Sequence, residues 1–289
     1  MSYVSLAAVV VGALAAAAGA FAGWIGLSLL RFQSYYRHKG EVPPPMPPWA
    51  LARYALGELF ALATLGWWQL RAGRRNGLLR PLGEVTGPPV VCVHGITQDG
   101  SNLWGIRRAL ARRGRPSRAV SLGRYGRSLE AHVPPFVAAL RELARLDPAG
   151  QVDVVAHSMG GVIVRMALTT HPELAASVRR IVTLGSPHSG TAAGRGLPLA
   201  GAARFLGRRS EVLRRLPGFP ATAALTTIAA RHDLVVYPQT TCHLHGARAL
   251  DLPDVGHAGL LTRPAVQALV VEALCAEDAE LPPDSPLRA

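Results

Sequence analysis

Hydrophobic and polar positions divide this chain into three unlike stretches. From Val4 to Leu30 run 27 residues without a charged side chain, longer than the roughly 20 needed to cross the hydrocarbon core of a bilayer. Met1-Ser2-Tyr3 ahead of it carries no basic group, which argues against a cleaved signal peptide, while the small residues Ala16 to Ala20 keep cleavage open. Arg31, Arg37 and Lys39 follow immediately, and positive residues tend to stay on the cytoplasmic side. The expectation is an N-terminal transmembrane helix within residues 1–39, retained as a membrane anchor, with the rest of the chain facing the cytoplasm.

Residues 40–87 form the second stretch. Pro43-Pro44-Pro45-Met46-Pro47-Pro48 is a stiff, extended spacer. Trp49 to Leu70 is then apolar for 22 residues apart from groups such as Arg53, Glu58 and Gln69. A second crossing would bury Arg53 and Glu58 in hydrocarbon at a few kcal/mol each. An interfacial or domain-packed helix avoids that cost and is the favoured reading. The basic residues Arg71, Arg74, Arg75 and Arg80 suit either headgroups or solvent.

Beyond Pro88-Pro89 the rhythm changes to short apolar runs separated by helical periods. Val90 to Val93, Ala119 to Ser121, Val152 to Ala156, Ile181 to Leu184 and Ala224 to Ala229 read as strands. Leu103 to Arg113, Leu129 to Leu146 and Gly160 to Leu168 read as helices. This alternation predicts an α/β domain over residues 88–276, a mostly parallel sheet with helices on both faces. Residues 191–222, rich in Gly, Arg, Leu and Pro, break the rhythm and read either as a short cap over a site or as a surface excursion. Residues 277–289 read as a flexible tail.

In such sheets chemistry gathers beyond the carboxyl ends of the strands. There stands Ala156-His157-Ser158-Met159-Gly160-Gly161, a strand-turn-helix with a serine at the turn. A nucleophilic serine at such a turn has a strained backbone, so the residues two before and two after it must be small. Ala156 and Gly160 meet that demand. Ala119-Val120-Ser121-Leu122-Gly123 has the same spacing, but Gly123-Arg124-Tyr125-Gly126-Arg127 after it has no apolar period and reads as loop. Ser158 is therefore the candidate nucleophile. Asp233, in Arg231-His232-Asp233, follows a later strand, and His257, in Gly256-His257, precedes the last helix. Serine is a poor nucleophile until an imidazole takes its proton, and that imidazole needs an acceptor to set its tautomer. His257 is the candidate base and Asp233 its acceptor. Asp254, three residues before His257, is a local alternative, and Asp251 reads as solvent-facing. For the oxyanion the candidate N–H donors are Met159, which follows the nucleophile, and Ile96 in His94-Gly95-Ile96-Thr97. Thr97 is the alternative to Ile96.

These residues resemble bacterial lipases and esterases of the α/β-hydrolase superfamily. The likeness runs from about Pro88 to Leu274 through Val93-His94-Gly95, Ala156 to Gly161, Thr183 to Thr191 (TLGSPHSGT), Arg231-His232-Asp233 and Gly256-His257. Ala156, where the common pattern has Gly, occurs in some lipases of this group. The resemblance implies a carboxylic ester hydrolase working through an acyl-serine, with a lipid or small-molecule ester as substrate. An acyltransferase, a thioesterase or a non-catalytic binding scaffold are the rivals on the same fold.

Composition changes this picture little. Three widely spaced cysteines, Cys92, Cys242 and Cys275, fit neither a zinc site nor a disulfide framework, and no motif asks for a cofactor. The formal charge is +13 with Lys39 the sole lysine. Arginine bias from a GC-rich genome accounts for that, with attraction to anionic headgroups as the alternative. No nucleic-acid-binding module is recognisable and few aromatics are available to stack bases, so nucleic acid is not an expected partner. Nothing in the chain sets an oligomeric state.

Overall fold

The computed structural model describes residues 3–72, 77–123, 128–194 and 205–276. In the described residues seven strands form one sheet: β1 (Leu78–Leu79), β2 (Val90–Val93), β3 (Ser117–Val120), β4 (Val152–His157), β5 (Val178–Leu184), β6 (Ala224–Ala230) and β7 (Arg248–Leu252). Their spatial order is β1-β3-β2-β4-β5-β6-β7. Only β1 runs antiparallel to its neighbour; every other pair is parallel. The helices are α1 (Tyr3–Lys39), α2 (Pro48–Ala72), α3 (Trp104–Arg112), α4 (Val133–Ala144), α5 (Met159–Thr170), α6 (Glu211–Arg215), α7 (Gly259–Thr262) and α8 (Pro264–Cys275).

The central strands are apolar over most of their length because both faces are covered. Successive side chains alternate between them. Val91, Val93, Val154 and Ala156 face the core built with α4 and α5, whereas Val90, Cys92 and Val155 face the one built with α3 and α8. Prolines open α4 and α8 in their first turns, where a missing N–H costs nothing. Two edge elements escape the sequence reading: β1 has only two residues, and β7 carries half-exposed positions throughout.

At the end of β4 remote from Ser158, Asp153 binds two arginines. Its carboxylate receives Arg115 at 2.5 Å and Arg179 at 2.7 Å. The same arginines donate to the Leu274 carbonyl, at the C-terminal end of α8. Asp153 is thus a structural ion-pair centre. A cavity of about 650 Å³ lies at this end of the sheet beside Arg112, Arg115 and Cys275, away from the candidate nucleophile. Cys92 and Cys242 are buried thiols and Cys275 is exposed.

Both N-terminal helices pack on the α/β body. On α2, Tyr54, Glu58, Ala61 and Leu65 form one buried stripe. Ala61 and Leu65 join the core of Val90, Ile106 and Leu260, and Gln69 donates to Asn102 at 2.9 Å. Among the described residues α2 thus shares one core with the body that starts near Pro88. Of α1, the side chains of residues 1–15, 17 and 18 lie outside the described residues. Among the described residues no helix is long and apolar enough to cross a membrane, so the expected transmembrane helix over Val4–Leu30 gains no support. Part of that apolar run is covered by protein: Ile25, with Phe32 and Tyr36 beyond it, clusters with Tyr54, Leu234 and Tyr237.

Residues 195–204 of the expected cap, the loop at Arg124–Arg127 and the tail 277–289 lie outside the described residues. What is described of 191–222 is packed rather than free-standing. Leu206 and Leu213 enter the α4/α5 core, and Arg165 holds the carbonyls of Leu216 and Pro217.

Candidate active site

The candidate site lies past the carboxyl ends of β4, β6 and β7, and begins with backbone strain. Ser158 has φ 55° and ψ −126°, a conformation that costs a β-carbon-bearing residue about 1–3 kcal/mol and persists only where its surroundings enforce it. They do: its N–H donates to the Leu184 carbonyl at 2.8 Å, and its own carbonyl accepts from Gly161 at 3.1 Å. The small neighbours are a packing necessity. A β-carbon on Gly160 would come within 2.6 Å of the Val93 carbonyl oxygen, and one on Gly95 within 2.8 Å of the Ser158 β-carbon. One on Gly161 would strike the Ser186 hydroxyl.

Asp233 and His257 converge on this serine. His257 Nδ1 lies 2.7 Å from Asp233 Oδ2, and His257 Nε2 lies 3.1 Å from Ser158 Oγ. An ionised carboxylate only accepts, so the ring proton belongs on Nδ1 and Nε2 is left to accept from the serine hydroxyl. The other carboxylate oxygen, Asp233 Oδ1, receives the N–H groups of Val235 and Val236 at 2.7 and 2.8 Å. Asp233 is thereby held in place from its own loop. The alternative acceptor is elsewhere: Asp254 is exposed and pairs with Arg53 at 2.6 Å. Asp251 is also exposed and accepts from His243.

Burial alone would push the His257 imidazole pKa down. The adjacent Asp233 carboxylate, its hydrogen bond and the charge of Glu58 outweigh that and hold it above its ordinary value. His157, with its ring 4.7 Å from that of His257, is pushed well below the ordinary value by burial and then by the His257 charge. It is neutral near pH 7, so it sets no positive charge against the base. Its ring nitrogens meet Gln98 Oε1 at 3.0 Å and the His257 carbonyl at 3.2 Å.

The two candidate oxyanion donors flank the serine. Met159 is the buried first residue of α5, and Ile96 sits in the turn after β2, with Gly95 against Ser158. Neither N–H has an acceptor among the described residues. Gln98 shapes that turn by accepting from Gly95 at 2.8 Å, and Thr97, the alternative donor, takes a positive φ of 57°. His94 braces the turn from behind. Its Nε2 accepts from Leu122 at 3.2 Å, so its Nδ1–H donates to the Gly95 carbonyl at 2.8 Å.

Three neighbours of the site were not singled out from the sequence: Glu58, His157 and Gln98. His157 and Gln98 stand within or beside recognised motifs. Glu58 had one signal, a carboxyl group inside an apolar helix, and that signal carries no information about what it meets.

The class that this fold and site define is the α/β-hydrolase fold. Lipases and esterases are among the solved structures that it resembles. The chain superimposes on lipase B of Aspergillus fumigatus with a TM-score of 0.59 and 20% identity, covering 69% of this chain and 56% of that one. It thus spans little more than half of that protein. With the mature form of lipase BlEst2 of Bacillus licheniformis the TM-score is 0.56 and the identity 19%, over 68% of this chain and 99% of the other. Est1E from Butyrivibrio proteoclasticus gives 0.51 and 14%, over 69% and 93%. A family profile described as PGAP1-like alpha/beta domain matches residues 121–195. No curated protein matches the sequence.

Proposed function

We propose that the protein is a serine hydrolase that cleaves carboxylic esters, with lipid acyl esters as the substrate class. The observation that carries this reading is the continuous hydrogen-bonded chain from Ser158 Oγ through the His257 ring to Asp233. In the proposed reaction the hydroxyl proton of Ser158 passes to His257 Nε2 as Oγ bonds to the ester carbonyl carbon. The oxyanion that forms is received by the N–H groups of Ile96 and Met159, each worth about 3–4 kcal/mol of barrier lowering. His257 then returns the proton to the alkoxy oxygen as the C–O bond breaks, which leaves an acyl-serine. Water, deprotonated by the same imidazole, releases the acid and regenerates Ser158. Asp233 stabilises the imidazolium throughout.

The lipid class and a position at a membrane belong to the same proposal. The uncharged run Val4–Leu30, followed by Arg31, Arg37 and Lys39, supports attachment with the body on the cytoplasmic side. The outer face of α2 supports it further, because Trp49, Leu56, Phe60, Trp67 and Leu70 are all exposed. An apolar patch of that kind marks a contact surface.

The test is fluorophosphonate labelling of the full chain together with hydrolysis of p-nitrophenyl esters of graded chain length. Ser158→Ala is expected to abolish both, and the rate is expected to rise toward longer acyl chains. Labelling that persists in Ser158→Ala would overturn the nucleophile. Acyl transfer to an added alcohol in preference to water would make the protein a transferase.

A further inference from the structure

Glu58 stands on α2, ahead of the motifs between Pro88 and Leu274 that resemble known hydrolases, yet its side chain is buried against the candidate site with 2% of the residue exposed. Its two carboxylate oxygens receive two consecutive backbone N–H groups, Ala258 at 3.0 Å and Gly259 at 2.8 Å. These are the residues directly after His257. On the other side of His257, Gly256 leaves no room for anything but hydrogen: a β-carbon there would collide with the Glu58 carboxyl group. The carboxylate is therefore wedged under the loop that carries the imidazole, gripping it on both sides.

A burden of this kind calls for a reason. Burying a carboxyl group is unfavourable unless what it gains compensates, and a neutral side chain can satisfy backbone donors at lower cost. What a carboxylate adds is negative charge beside a ring that must become positive during proton abstraction.

We infer that Glu58 is a positioning residue for the proposed base: it fixes the His257 loop through the N–H groups of Ala258 and Gly259 and, as a second buried carboxylate behind Asp233, stabilises the imidazolium. This rests on the hydrolase reading above. It also makes α2 a working part of the catalytic domain, so that a fragment starting at Pro88 lacks one wall of its own site.

The groups facing this pair come from every adjoining element. Tyr54 lies one turn before Glu58 on α2, Asp233 follows β6, His157 ends β4, and Arg263 abuts Gly57 from the start of α8. Burial pushes the Glu58 carboxyl pKa up and the Asp233 charge adds to that, while the two N–H donors and His257 oppose them. The Glu58 charge in turn helps to raise the His257 pKa. A base works only when neutral, so the rate falls as pH drops through that raised value. Removing the Glu58 charge lowers the His257 pKa and moves this acid limb to lower pH.

The experiment compares full-length wild type, Glu58→Gln and Glu58→Asp. Unfolding transitions confirm that each is folded, and kcat and KM for a p-nitrophenyl ester are measured across the range in which imidazole titrates. Gln presents an amide to one of the two N–H donors and carries no charge. It is expected to lower kcat about tenfold or more, hold KM within about twofold and shift the acid limb down by about half a pH unit. Asp keeps the charge but withdraws it by one methylene, so its acid limb should stay with the wild type while kcat falls severalfold. A folded Gln variant with wild-type kcat and limb overturns the inference, as does a loss of kcat with no movement of the limb, which is the signature of a purely structural cap. If Gln does not fold, Asp decides: wild-type kcat there overturns the positioning role. Absence of Ser158-dependent labelling in the wild type would instead remove the hydrolase reading on which this one stands.

Discussion

Asp233→Asn isolates the tautomer argument. Asp233 uses Oδ1 for two N–H groups, from Val235 and Val236, and Oδ2 for the His257 ring. In asparagine the amide oxygen must stay where the two N–H donors converge, since the amino group there would oppose two donors at once. The amino group therefore meets His257 Nδ1, and a donor facing Nδ1 demands that this nitrogen be unprotonated. The single ring proton moves to Nε2, which then points a hydrogen at Ser158 Oγ across 3.1 Å. The serine proton has no acceptor. A triad with its base in the wrong tautomer loses a factor of about 10⁴ in kcat, equal to about 5.4 kcal/mol at 1.36 kcal/mol per decade. Both loop hydrogen bonds survive, so the unfolding midpoint should barely move. The assay is p-nitrophenyl ester hydrolysis at neutral pH, with Ser158→Ala as the blank. A folded Asn variant that keeps its Ser158-dependent rate within about tenfold of wild type would refute the assignment of Asp233.

Two further perturbations test the frame around the site. Leu65→Ala, at a position 5% exposed in the core shared with Val90, Ile106 and Leu260, should cost about 2–5 kcal/mol in a denaturant titration that remains a single transition. An unchanged midpoint would mean that α2 is not part of the folding unit. Asp153→Ala removes the carboxylate that pairs with the buried Arg115 at 2.5 Å and should cost about 3–5 kcal/mol, because an uncompensated charge remains. Its kcat per folded molecule should match the wild type, since roughly 16 Å of strand separates position 153 from position 158; a large loss of kcat would show that the two ends of the sheet are coupled.

Much of the site could be read from the chain because its parts are local. The strand into Ser158, the small residues around it and the helix after it are one contiguous segment, and the strain at φ 55° follows from that sharp reversal. Chain order and resemblance rank Asp233 over Asp254; the physical discriminator is tertiary, since Asp254 is exposed and paired with Arg53 of α2 while Asp233 reaches the His257 ring. The edge strands β1 and β7 were unread for the opposite reason, that a two-residue pairing and a half-exposed strand leave almost no periodicity to detect.

The sequence by itself determined the alternation of strands and helices, the two-sided burial of the sheet and the identity of the serine at the turn, because each depends on the period and size of neighbouring side chains. Tertiary structure alone decided what the described apolar residues of α1 and α2 meet. Hydropathy measures the free energy of leaving water, and that gain is nearly the same whether lipid or protein receives the side chain. So the composition of α1 and α2 could not reveal that Ile25 packs in one cluster with Tyr54 and Tyr237, that Leu65 enters the core of the sheet, or that Glu58 reaches the loop of His257. A buried carboxylate is specified by what surrounds it in space, and its partners here lie 200 and 201 residues further along the chain.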